Sequence, residues 1–227
     1  MLNYEVDPAL LARRAPSGTE LDFWEGKTFV SMVGFLFLNT KVLDWTVPFH
    51  RDFAEVNLRF YVRRKGPEGW RRGVVFIKEI VPRWAIAAVA RMVYNENYIA
   101  LPMRHEVLLP SNSSSLDEVV EYAWQFHGQW NRLRVKPSGE PQALVPGSQE
   151  EFIAEHYWGY VAQRDGGCVE YQVEHLPWRV WRATESSLEC DIAALYGKEF
   201  VGSMSTQPSS AFVAEGSPII VNKGTRL

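Results

Sequence analysis

The stretch Phe53-Ala-Glu-Val-Asn-Leu-Arg-Phe-Tyr-Val-Arg63 alternates apolar and polar residues with a period of two. On an extended chain Ala54, Val56, Leu58, Phe60 and Val62 share one face, while Glu55, Asn57, Arg59, Tyr61 and Arg63 share the other. The stretch therefore predicts a strand, and its neighbours extend the pattern. Gly66-Pro67-Glu68-Gly69 turns the chain, and residues 73–81 return as a mostly apolar strand. Upstream, residues 28–38 are apolar almost throughout, as expected of a strand covered on both faces, with residues 19–24 as its hairpin partner. Asp7-Pro8 reads as a helix cap and first helical position, and residues 43–52 as an ordered loop. Downstream the pattern predicts a helix over 84–94, strands over 100–109, 117–127 and 131–136, and a Pro/Gly loop over 138–147. Ser148 and Glu151 have capping-box spacing and open a short helix. A hairpin over 156–163 and 168–175, a helix over 186–196 closed by Gly197, and a short strand over 218–222 complete the chain. Strands outnumber helices and hairpin signals recur, so the expectation is one α+β domain over 1–227 with a mostly antiparallel sheet.

Composition narrows the function classes. The chain has 227 residues, 46% hydrophobic and 22% charged, enough apolar content for a real core. Its net charge of −3 argues against nucleic acid or anionic lipid as a partner. The longest apolar run, residues 29–38, is about half of what a membrane helix needs. The opening residues show no basic segment followed by an apolar one, which predicts a cytoplasmic protein. Cys168 and Cys190 belong to no C-x-x-C pair and are expected to be free thiols. The five histidines are scattered, with no H-E-x-x-H, so no metal site is expected. Neither G-x-G-x-x-G nor G-x-x-x-x-G-K-[ST] occurs, and no cofactor is expected.

Four stretches in order resemble one bacterial family: Met1-Leu-Asn-Tyr-Glu-Val-Asp-Pro8, residues 53–62, Glu151-Phe-Ile-Ala-Glu-His-Tyr-Trp-Gly-Tyr160 and Tyr171-Gln-Val-Glu-His-Leu-Pro-Trp178. The family is the YqjF-like one, domain of unknown function 2071, which is similar to the acetoacetate decarboxylase-like superfamily. The resemblance runs from the first residue to about Asn222. It implies a cone-shaped antiparallel β-barrel with an interior cavity and a few short helices at its rim. It also implies that Glu55 matches a glutamate which faces that cavity in the decarboxylases. Their imine-forming lysine follows a helix. The matching stretch here, residues 94–103, contains no lysine, and Tyr98 falls about where the nucleophile would be.

The candidate residues follow from both lines of reasoning. Glu55, Asn57 and Arg59 are either a solvated strand face or a ligand-lining set, with Arg for a carboxylate, Asn for a carbonyl and Glu for a hydroxyl or proton. Lys78 is embedded in an apolar run and is either a relocated amine nucleophile or a strand-end lysine paired with Glu79 or another acid. Tyr98 is expected beside the ligand. Arg104 and Glu106 reach the same cavity or face solvent. Arg59, Arg63, Arg64, Lys65, Arg71 and Arg72 gather around one turn, either as a phosphate patch or as a charged hairpin end. The expected function is binding or turnover of a small oxygenated molecule, a carbonyl or carboxylate, in a barrel cavity without an imine lysine at the decarboxylase position. The alternatives are a structural or interaction protein whose rings support a homo-oligomer, and a decarboxylase- or aldolase-like enzyme using Lys78.

Overall fold

A computed structural model describes residues 1–38, 52–82, 97–110 and 118–227. The helix expected over 84–94 and nearly all of the loop expected over 43–52 lie outside these residues. The centre of the molecule is β4 (Phe53–Gly66), antiparallel to β3 (Thr28–Phe37) on one side and to β5 (Gly69–Val81) on the other. Beyond β3 the sheet continues through β1 (Leu2–Val6), β13 (Ser210–Ala214), β12 (Arg179–Glu189), β9 (Gln129–Ala143), β8 (Val119–Phe126) and β7 (Met103–Leu108). Beyond β5 it continues through β10 (Trp158–Ala162), β11 (Cys168–Glu174) and β14 (Ile220–Val221). Three short strands branch from this path: β2 (Glu20–Leu21) on β4, β6 (Tyr98–Ala100) on β5 and β15 (Thr225–Arg226) on β11. The pairings are antiparallel except β5 with β6 and β5 with β10. Four short helices accompany the sheet among the described residues: α1 (Pro8–Ala12), α2 (Gln149–Ala154), α3 (Ile192–Leu195) and α4 (Val201–Met204).

The expectation of a barrel or cone is corrected here. The hydrogen-bonded path ends at β14 and β7, and no pairing among the described residues joins the two. The sheet is open. Alternation and apolar runs report that a strand's faces are covered, and are silent on whether the first strand bonds to the last. Closure needs tilt and stagger that agree around the whole ring, which is a property of no single stretch.

Several local expectations change as well. Residues 19–24 do not form a hairpin with β3; Glu20 and Leu21 pair with Arg63 and Val62 of β4. The helix expected over 186–196 shrinks to α3, because Ser186 and Leu188 pair with Val135 and Leu133 and keep the chain extended to Glu189. Asp191 then caps α3, its carboxylate accepting from the Ala194 amide at 3.0 Å. The strand expected to stop at residue 136 runs on to Ala143, with register shifts opposite β12 that accommodate Pro137. Asp7 and Ser148 cap α1 and α2 as expected. His127 and Gly128, with φ of 47° and 78°, make the tight two-residue turn between β8 and β9.

The two faces of β4 are both buried, and they differ in chemistry. Ala54, Val56, Leu58, Phe60 and Val62 join the main apolar core with Leu2, Tyr4, Val30, Met32, Tyr122 and Trp124. Strand β8 lies over β3 across this core, so closely that a Cβ built on Gly34 would sit 2.5 Å from the Tyr122 ring. The other face meets a smaller cluster built on Phe29, Tyr61, Val74, Phe152 of α2 and Phe212. Around Tyr61 that cluster holds a buried polar chain. Tyr61 Oη donates to Ser31 Oγ at 2.5 Å, and Ser31 donates to Asn3 Oδ1 at 2.6 Å. The His156 ring packs 4.6 Å from the Tyr61 ring, and its Nε2 lies 3.7 Å from Asp22 Oδ2 and 3.5 Å from Arg72 Nη2. Burial pulls the His156 pKa down to about 4; Arg72 reinforces this, while Asp22 opposes it.

Two predictions follow from this packing. Gly34→Ala forces a methyl into the Tyr122 ring and is expected to cost about 1–3 kcal/mol, read as a lower urea midpoint. Gly202→Ala in α4, where a Cβ meets nothing within 4 Å, serves as control and leaves the midpoint unchanged or raised. The second concerns pH. His156 titrates near 4 when folded and near 6.5 when unfolded, so the unfolded chain takes up the proton first as pH falls. Stability is full above about pH 6.5 and declines towards pH 4 by something of the order of 3 kcal/mol. His156→Phe keeps the ring in place and is expected to flatten the urea midpoint across this window; an unchanged slope refutes the assignment.

Candidate functional site

The strongest concentration of unusual polar groups lies along the second face of β4, on the row Glu55, Asn57, Arg59. A one-residue bulge in β5 assembles it. Asn57 pairs with Glu79 and Leu58 with Lys78, but Arg59 pairs with Phe76, leaving Ile77 as the extra residue. Directly opposed residues point to the same face of a sheet. The bulge therefore turns Glu79 towards Asn57 and sends Lys78 to the Leu58 side. Strand β6 adds Tyr98 in register with Glu79, so Val33, Asn57, Glu79 and Tyr98 form one row across four strands.

Within this row the hydrogen bonds converge on Glu55. Asn57 Nδ2 donates to Glu55 Oε1 at 3.1 Å, and Tyr98 Oη donates to Glu55 Oε2 at 3.3 Å. Glu55, Asn57 and Glu79 are 2%, 1% and 1% exposed. Glu79 lies diagonally across from Glu55, at about 7–8 Å on ordinary sheet spacing. Two carboxyl groups and a phenol so placed can exchange protons with a molecule lodged between them. Asn57 Oδ1 is buried and accepts no hydrogen bond among the described residues. Arg59, two residues further on, has no carboxylate partner among the described residues; its Nη2 reaches the Ile153 carbonyl at 3.4 Å, and its buried Nε has no acceptor. Such groups are costly unless something pairs with them.

The other sequence candidates fall elsewhere. Lys78 is half-buried on the opposite face of the sheet, and burial lowers its pKa. No carboxylate among the described residues pairs with it, so pairing with Glu79 is not observed. Arg104 is exposed on β7, its guanidinium 4.3 Å above the Trp130 ring, and does not join the Glu55 row. The arginines around the β4–β5 turn are neutralised one by one: Arg63 by Glu20 at 2.7 Å, Arg64 by Glu170 at 3.3 Å, Arg71 by Glu68 and Glu170, and Arg72 by Asp22 at 2.7 Å. They form a charged hairpin end rather than a phosphate patch. Cys168 and Cys190 are free, and burial pushes the Cys190 thiol up to about 12. An open cleft of about 330 Å³ lies at the far end of β4, between Trp24, Trp70, Arg63 and Arg72. No helix among the described residues is long and apolar enough to cross a membrane.

Glu79 was missed in the sequence as a site residue. An acid inside the apolar run 74–81 was the available signal, but its face depends on the bulge, which alternation cannot reveal. The Asp22–His156–Arg72 group comes from three separated elements and left no local pattern.

Comparison with known proteins places this geometry in context. The chain is 26% identical over 186 residues to the uncharacterized protein YqjF of Bacillus subtilis strain 168, covering 80% of this chain and 71% of that one. Among solved structures it superposes on the enduracididine biosynthesis enzyme MppR with TM-score 0.68 at 12% identity, over 100% of this chain and 84% of that one. It matches an acetoacetate decarboxylase-like enzyme from Sphingomonas wittichii RW1 with TM-score 0.64 at 15% identity, covering 100% and 89%. The acetoacetate decarboxylase of Legionella pneumophila gives TM-score 0.62 at 16% identity, covering 100% and 82%. These likenesses, at 12–16% identity, show that the chain shares its overall fold with these enzymes. A family model fits residues 1–218, nearly the whole length, and the chain belongs to DUF2071, a family of uncharacterized conserved proteins.

Proposed function

We propose that this protein binds and turns over a small oxygenated carboxylate on the Glu55–Asn57–Arg59 face of its sheet. The observation that carries the reading is the pair of unmatched groups on β4. Among the described residues Arg59 offers a donor with no acid to take it, and Asn57 Oδ1 an acceptor with no donor. A carboxylate on Arg59 and a hydroxyl on Asn57 Oδ1 would satisfy both. One of the two Asn57 amide hydrogens goes to Glu55, and Oδ1 is open to a ligand hydroxyl, enol or hydrated carbonyl. Glu55, held by Asn57 and Tyr98, stands where it can take or return a proton at the neighbouring carbon or oxygen. Fold relatives support the substrate class: one is an acetoacetate decarboxylase, and MppR has been solved with pyruvate.

Calorimetric titration with lactate, pyruvate and acetoacetate tests the reading. Saturable binding of one of them is expected, weakened about 10- to 100-fold in Arg59→Met, the worth of a hydrogen bond to a charged group. Glu55→Gln keeps an acceptor for Asn57 on its carbonyl oxygen, while its amide nitrogen can donate to the Tyr98 hydroxyl, and it is expected to retain binding while losing turnover. Absence of binding by the unaltered protein, or unchanged affinity in a folded Arg59→Met, refutes the proposal.

A second reading rests on Lys78, half-buried, with no acid paired to it among the described residues and with a pKa lowered by burial. Such an amine is the usual source of an imine. Its separation from Glu55 by the sheet argues against it, and residues 94–103 supply no other lysine. Borohydride treatment in the presence of pyruvate or acetoacetate is expected to leave the mass of the protein unchanged. A reduced adduct that disappears in Lys78→Met would favour this second reading instead.

A further inference from the structure

Strand β7 ends the sheet, and its far side has no hydrogen-bonded neighbour among the described residues. From Arg104 to Leu108 every residue is exposed, and Val107, Leu108 and Leu109 are exposed apolar side chains in a row. Natural edge strands are normally short, bulged or charged to prevent such pairing. The opposite end of the sheet is of that kind, since β14 has two residues. Strand β7 has six, bounded by Pro102 and Pro110, which confine any added pairing to the segment between them.

The hydrogen-bond phase of this edge is fixed. The Gln125 amide donates to the Pro102 carbonyl at 2.9 Å, and Arg104, Glu106 and Leu108 follow in the same phase against β8. Met103, His105 and Val107 therefore turn both their N–H and C=O groups outwards. We infer that β7 pairs with β7 of a second copy of this chain, antiparallel about a two-fold axis through His105. This register sets His105 against its counterpart and Met103 against Val107, and all six outward residues of the two strands bond in phase. It also places Arg104 of each copy opposite Glu106 of the other, in the narrow non-hydrogen-bonded sites where side chains come closest. Opposite charges thus meet twice across the axis. A closed isologous pair of this kind leaves no further free edge at β7, so assembly stops at two.

The full-length protein should sediment as a concentration-dependent dimer in analytical ultracentrifugation. Arg104→Glu alone sets glutamate against glutamate, and Glu106→Arg alone sets arginine against arginine, so each should shift the equilibrium to monomer by tenfold or more. Mixing the two single variants restores opposite charges in both sites, and a heterodimer should form; the double exchange in one chain should dimerise again. Val107→Pro, which removes an outward N–H on an exposed residue, should also weaken the dimer. A monomer at all concentrations overturns the inference, as does a dimer indifferent to the charge exchanges. Circular dichroism of each variant verifies that the sheet is intact.

Discussion

The pairing of β4 between β3 and β5 is the constraint on which the rest depends. A strand bonded along both edges and covered on both faces has no water to satisfy its polar side chains. Its apolar half solves this by packing with Leu2, Met32 and Trp124. Its polar half must find partners from the elements laid over it: α2 through Phe152 and Ile153, β1 through Asn3, β6 through Tyr98. The polar chain from Asn3 through Ser31 to Tyr61 shows how completely this can be done. Against that background Asn57 Oδ1 and Arg59 Nε, like His156 Nδ1 beside Tyr61, have no such partner among the described residues.

Open architecture and buried chemistry are compatible here. The Glu55 row needs no enclosing ring of strands; it lies between the sheet and what covers it. The aromatic richness of the chain serves this covering. Phe29, Tyr61, Phe152 and His156 pack against one another, edge to face at Tyr61–Phe152 and Phe152–His156 and tilted at the other contacts, and surround the polar groups with rings.

Much of this was legible in the sequence, and the reasons differ by element. The alternation over 53–63 located β4 and separated its faces correctly, because a period of two is a local property. The caps at Asp7 and Ser148 were legible because each is a side chain bonding its own backbone two or three residues on. Closure into a barrel was not, since it depends on the mutual position of strands about a hundred residues apart in the chain. The segment 186–196 misled because its apolar spacing suits a helix, while the bonds offered by Leu133 and Val135 of β9 outweigh a weak helical preference. Arg104 fell outside the candidate site for a related reason: alternation places a residue on a face, but not on the part of that face that is covered.

The bulge at Ile77 has a consequence for the versatility of this scaffold. The run Ile77-Lys78-Glu79 carries an amine and an acid side by side, and one extra backbone residue decides which of them meets Asn57. Were the same strand to run straight, a slip of one residue would bring the lysine beside Glu55 and turn the glutamate into the apolar core. An amine next to a carboxylate is a different reagent from two carboxylates next to an amide. Backbone geometry, with no change of side chain, thus decides which of the two groups shares a face with Asn57.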